Sequence, residues 1–200
     1  MKLSMIEQIL KIAKEIPVLR PSDLVEHGIP RRYLSRCYKE GYLHRVGRGV
    51  YVTNDAIPTE LHSMAQVGRR VPKGVICLLS ALQFHGLTTQ LPYLVWVAIK
   101  RDAWRPKEPN LPLRIIRFST KAFEAGIETH RIEGVPVKVY NAAKTVVDCF
   151  KYRNKIGQDI AIEALRDCLN QKKCTIDDLW NYAKICRVTN VMKPYLEMVT

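Results

Sequence analysis

The segment Arg31-Arg32-Tyr33-Leu34-Ser35-Arg36-Cys37-Tyr38-Lys39-Glu40 decides how this chain is read. At 100° per residue, Tyr33, Leu34, Cys37 and Tyr38 gather on one arc of a helix, and Arg31, Arg32, Ser35, Arg36 and Lys39 on the other. One arc can pack while the other presents four cations and a hydroxyl. A merely solvated helix face is ordinarily mixed in sign. Here the only acid, Glu40, stands at the far end. Pro30 opens the helix, where its missing N–H costs nothing, and Gly41 stops it.

Upstream, Ser4 to Lys14 carries apolar residues at helical spacing with Ser4 as N-cap, and Pro17 ends that helix. A short second helix is expected over Ser22 to His27, with Leu24 and Val25 inward and Gly28 as its left-handed stop. Downstream, Leu43–Val46 and Val50–Val52 read as strands joined by Gly47-Arg48-Gly49. Three helices followed by a tight hairpin is the order of a winged helix-turn-helix. Such a fold puts the N-terminal half of its third helix into the major groove, where forked donors read purine edges. The expected DNA-binding residues are therefore Arg31, Arg32, Ser35 and Arg36 at bases, with Lys39, Arg45 and Arg48 at phosphates. Double-stranded DNA is the expected partner, and a winged helix that docks on protein is the alternative.

Asn54 to Thr59 reads as a linker, which divides the chain into a winged helix over 1–58 and a second domain over 59–200. Within the second, Glu60–Arg69 looks helical, and Val75–Leu87 reads as a buried helix closed by Gly86. Leu94–Ile99 and Leu113–Phe118 read as strands. Glu128–Ile132 and Val135–Tyr140 flank the hairpin signal Glu133-Gly134. Helices follow over Ala142–Lys151, Asp159–Asn170, Ile176–Cys186 and about 191–198, with Asn141 and Thr175 as N-caps. The fold class is α+β: a winged helix-turn-helix, then a mixed domain with strands first and a helical C-terminal part.

Lys and Arg number 32 against 19 Asp and Glu, a formal charge of +13, which favours a polyanionic partner. Yet 1–58 holds 10 cations and 6 anions, whereas 59–200 holds 22 and 13, so most of the excess lies outside the winged helix. Lys100, Arg101, Arg105, Lys107, Arg114 and Arg117, against Asp102 and Glu108, form a second basic patch that suits either DNA backbone or an acidic protein. No apolar run approaches the ~18 residues of a membrane span, and no signal-peptide core opens the chain. The six cysteines (37, 77, 149, 168, 174 and 186) form no CxxC and read as reduced thiols, which places the chain in the cytoplasm.

No catalytic set assembles. Ser80 and His85 stand five apart on one helix, no phosphate-cradling glycine loop occurs, and Glu133 and Lys138 are wrongly spaced for a metal nuclease. No metal or cofactor is expected, and the chain reads as a non-enzyme. Asp148, within an apolar helix, needs a partner if buried, with Lys144 four residues back or a strand cation as candidates. His85 reads as a satisfied helix-end residue and Trp96 as core.

The run from Tyr33 to Leu43, with Arg48-Gly49-Val50-Tyr51, resembles the N-terminal domain of AbiEi-type antitoxins. Cys77-Leu78-Leu79-Ser80-Ala81-Leu82-Gln83-Phe84-His85-Gly86-Leu87, Gly134-Val135-Pro136-Val137 and Ala143-Lys144-Thr145-Val146-Val147-Asp148 extend the likeness over nearly the whole chain. Arg20-Pro21 departs from the pattern, which commonly has a Ser or Thr cap there; Ser22 is the candidate replacement. The resemblance implies a bacterial repressor of its own operon, binding inverted repeats in its promoter. Its second domain would counteract a nucleotidyltransferase-like toxin of a type IV toxin–antitoxin phage-defence pair. Some relatives act only as regulators and others carry a nuclease domain, so a nuclease targeted by its winged helix is the competing reading.

Overall fold

A computed structural model describes residues 4–16, 18–53, 61–106 and 111–198. The expected linker, Pro17, Lys107 and Glu108 lie outside them. The chain packs as two compact units: the first runs to Pro72 and takes in His130–Val137, and the second comprises most of the remainder.

The first unit opens with α1 (Met5–Glu15). Ser4 Oγ accepts the Glu7 N–H at 3.2 Å, and the Glu7 carboxylate accepts the Ser4 N–H at 2.7 Å. This reciprocal cap is worth about 1 kcal/mol. There follow β1 (Val18–Leu19), α2 (Pro21–Glu26), α3 (Arg32–Lys39), β2 (Leu43–Gly47), β3 (Val50–Thr53) and α4 (His62–Arg70). The three strands form one antiparallel sheet in the order β1-β3-β2. Ile9, Ala13, Leu19, Leu24, Ile29, Leu34, Cys37, Leu43 and Tyr51 make the core.

Three local readings need correction. Val25 is 53% exposed rather than inward, because α2 is short and Asp23 and Leu24 fill its inner side. Ser22 does not replace the missing cap; it lies inside α2, and the Asp23 carboxylate accepts the Arg20 N–H at 2.8 Å. β1 has no counterpart in the sequence reading, since two residues carry no periodicity and exist as a strand only through pairing with Val52 and Tyr51.

The second unit is built on a mixed sheet, ordered β6-β5-β4-β8-β7, of β4 (Val75–Ile76), β5 (Val95–Lys100), β6 (Leu113–Phe118), β7 (Ile127–Ile132) and β8 (Val135–Tyr140). The tip of the β7–β8 hairpin belongs to the first unit. Its turn has Glu133 at φ +50° and Gly134 at φ +75°, the two left-handed residues that a tight hairpin of matching twist requires. The expected buried helix over 75–87 is half wrong. Val75–Ile76 is a strand between β5 and β8, and only Leu78–Phe84 is helical (α5). Periodicity cannot separate the two within an apolar run.

Helices α6 (Thr120–Glu124), α7 (Ala142–Lys151), α8 (Arg153–Ile156), α9 (Gln158–Asn170), α10 (Ile176–Cys186) and α11 (Thr189–Glu197) complete the unit. Every residue of α7 from Ala142 to Phe150 is buried, and it packs against α5, α9 and α10. Asn141 and Thr175 cap α7 and α10 through their side chains. Inside α7, Lys144 Nζ meets Asp148 Oδ2 at 2.5 Å, both side chains shut from water. The Lys144 ammonium also stands 4.2 Å from the Tyr140 ring centroid and 4.7 Å from that of Phe118. Burial pushes the Asp148 carboxyl upward, and Lys144 and the Cys186 thiol oppose that by favouring the anion.

Candidate nucleic-acid interface

α3 separates its residues by chemistry as its sequence dictates. Leu34 and Cys37 are buried, and burial raises the Cys37 thiol. Arg31, Arg32, Ser35, Arg36 and Lys39 are all exposed. Tyr38 only edges the core: it is 48% exposed, with its ring against Tyr51 of β3 at 6.4 Å, edge to face. That contact ties α3 to the wing.

The cations differ in freedom. Arg36 Nε donates to Glu40 Oε1 at 2.7 Å, and this bond raises the guanidinium pKa. With side chains 61% and 36% exposed, the pair is solvent-screened and holds Arg36 only weakly. Arg32 lies over the Tyr33 ring at 5.6 Å. On the wing, Arg45 Nε donates to the Gly47 carbonyl at 3.2 Å, stiffening the strand end. Arg48 is exposed at the tip, and Gly49 turns the chain at φ +69°.

The support beneath these residues comes from α4, which sequence reasoning did not connect to the interface. Arg69 grips Asp23 of α2 fork to fork, Nη1–Oδ1 at 2.8 Å and Nη2–Oδ2 at 2.7 Å, with both side chains 11% exposed. Arg70 Nη1 donates to the Val46 carbonyl at 3.1 Å, and its guanidinium lies where a Cβ on Gly47 would sit, 2.5 Å away. Gly47 therefore admits the brace. At the start of α4, His62 Nδ1 lies 2.7 Å from Glu133 Oε2, and His62 Nε2 lies 2.9 Å from the Gln66 amide nitrogen. If that amide donates, the ring proton is on Nδ1 and points at Glu133. A pair of arginines ending a helix is ordinary in sequence, because cations suit that end. Nothing local distinguishes these two.

The other residues singled out in sequence serve structure. Ser80 Oγ accepts the Trp96 N–H at 3.0 Å, and His85 Nε2 meets the Tyr140 carbonyl at 2.7 Å. Trp96 is 5% exposed. Among the described residues no group of three His, Cys, Asp or Glu converges as metal ligands, and no helix is long and apolar enough to cross a membrane.

A helical core, a second helix leading by a turn into a cationic third, and a two-stranded wing define residues 4–53 as a winged helix-turn-helix, followed by a mixed α+β unit. Residues 7–54 match the family described as "Transcriptional regulator, AbiEi antitoxin". Among solved structures, the chain is similar to the crystal structure of the RV2827C protein from Mycobacterium tuberculosis. The two share 12% identity at a TM-score of 0.61, over 97% of this chain and 78% of the other. That likeness is one of fold and extends through the second unit. No curated protein matches the sequence.

Proposed function

We propose that this chain is a DNA-binding autorepressor that reads inverted repeats in its own promoter through α3 and the wing, and that it is no enzyme. The observation carrying this reading is the unbroken exposed row Arg31, Arg32, Ser35, Arg36 and Lys39, free of acids until Glu40. Arg31, Arg32, Ser35 and Arg36 face bases, while Lys39, Arg45 and Arg48 hold phosphates. Footprinting the DNA upstream of the gene at rising salt tests it. A protected segment is expected, with affinity falling as counterions are released, about 0.9 in log–log slope per phosphate neutralised. No protection at low salt refutes it.

The family domain supports a second part to the proposal: the chain is the antitoxin to a nucleotidyltransferase-like toxin encoded beside it. Co-expression with that toxin is the test. The full chain should restore growth, and the Arg31→Ala/Arg32→Ala/Arg36→Ala variant should restore it equally if the second unit does this work. Failure of the wild-type chain to rescue would leave a regulator only.

A further inference from the structure

The basic patch of the second unit surrounds one groove. β6 is an edge strand of its sheet, and beside it lies a depression of about 380 Å3 lined by Arg105, Ile115, Ile116, Arg117, Tyr152 and Lys155. Three of these six are cations and none is an acid. Arg117 donates to the Ala103 carbonyl at 2.9 Å and to that of Arg101, which holds the 101–105 turn beside the groove. Tyr152 donates its hydroxyl to the Arg117 carbonyl at 3.3 Å, and Lys155 Nζ stands 5.6 Å from the Tyr152 ring. Burial raises the Tyr152 hydroxyl pKa, and Arg101 is close enough to oppose that, so a fourth cation adds to the field.

Cations alone would suit any polyanion. Trp104 narrows the choice. It sits between Ala103 and Arg105, is 93% exposed, and has no ring or hydrogen-bond partner among the described residues. An indole left in water beside a cationic groove is the arrangement that takes an unpaired base, because stacking needs a free π-face and the groove takes the phosphate. Duplex DNA keeps its bases stacked on one another, and an acidic protein surface offers carboxylates without a base to stack.

We propose that this groove binds single-stranded nucleic acid, with phosphodiesters against Arg105, Arg117 and Lys155 and a base stacked on Trp104. The site is independent of the operator-reading helix. The test therefore uses the full chain carrying Arg31→Ala/Arg32→Ala/Arg36→Ala, titrated with oligo-dT and oligo-U of about 12 nucleotides and with a hairpin duplex. Binding to one or both single strands is expected, tighter than to the duplex, and the tighter arm identifies DNA or RNA as the source. Trp104→Ala should weaken it on the order of tenfold, and Trp104→Phe should retain most of it. Arg105→Glu/Lys155→Glu should weaken it at least tenfold and reduce the salt slope by about 1.4, because each phosphate no longer neutralised lowers the slope by about 0.7. All these side chains are exposed, so the variants keep the fold. Equal affinity for the duplex, or single-strand binding unchanged by Trp104→Ala, overturns the proposal.

Discussion

Replacing Arg69 by alanine is expected to destabilise the first unit and weaken DNA binding without removing any group from the exposed face of α3 or the wing tip. The side chain makes two charge-assisted bonds to Asp23, at 2.8 and 2.7 Å, and both partners are 11% exposed. Without it, among the described residues the carboxylate keeps the Arg20 N–H at 2.8 Å and a long bond from the Ser22 hydroxyl at 3.3 Å. Breaking a buried pair by removing one partner costs roughly 3–5 kcal/mol; the surviving N–H and residual exposure put this case at the low end, about 3 kcal/mol. Asp23→Asn keeps the acceptor for Arg20 but loses the charge, so a double-mutant cycle should return a coupling of about 2 kcal/mol. Trp96, Trp104 and Trp180 all belong to the second unit, so indole fluorescence does not report the first. Urea unfolding followed by far-ultraviolet circular dichroism, with amide hydrogen exchange read in α2, does. A destabilisation below about 1 kcal/mol, or additive effects of the two substitutions, would refute the brace as described.

Three further outcomes follow from the same structure. Glu40→Gln releases Arg36 and removes the one acid at the end of the reading helix, so affinity for the promoter should rise several-fold in a mobility-shift titration; weaker binding would mean that the pair pre-orients Arg36. Lys144→Met leaves the buried Asp148 carboxyl without its cation, with the Cys186 thiol as its remaining side-chain partner among the described residues, and should cost about 3–5 kcal/mol in urea unfolding. Lys144→Met/Asp148→Leu should recover most of that stability, which it will not if the pair is essential to folding. Native thiol labelling near pH 8 should modify Cys174 alone: it is half-buried, with its pKa lowered by a hydrogen bond from Cys168. Burial raises Cys37, Cys77 and Cys149, and it pushes Cys186 up to about 12. Two or more thiols labelled in the folded protein would contradict that.

Features that depend on local order were legible in the sequence. The two arcs of α3, the Ser4, Asn141 and Thr175 caps, and the Glu133-Gly134 turn each rest on residues close to one another along the chain. Lys144 is readable as a partner for Asp148 because the two lie one helical turn apart. What escaped depends on distant partners. β1 exists because β3 is there to pair with it, and Val75–Ile76 is a strand because β5 and β8 flank it. Asp23 and Arg69 are 46 residues apart, and Val46 and Arg70 are 24 apart. No periodicity links them, so the brace beneath α3 and the wing left no signal in the sequence, whereas the exposed cationic face of α3 did.

The role assigned to α3 rests on whether its exposed arginines recognise the promoter. Equilibrium binding of a promoter fragment by the wild-type chain and by Arg31→Ala/Arg32→Ala/Arg36→Ala, at one fixed salt concentration, decides it. Removing three arginines at about 1–3 kcal/mol each predicts an affinity lower by roughly a hundredfold or more, with circular dichroism unchanged. A folded variant that binds the promoter as tightly as wild type would contradict the assignment.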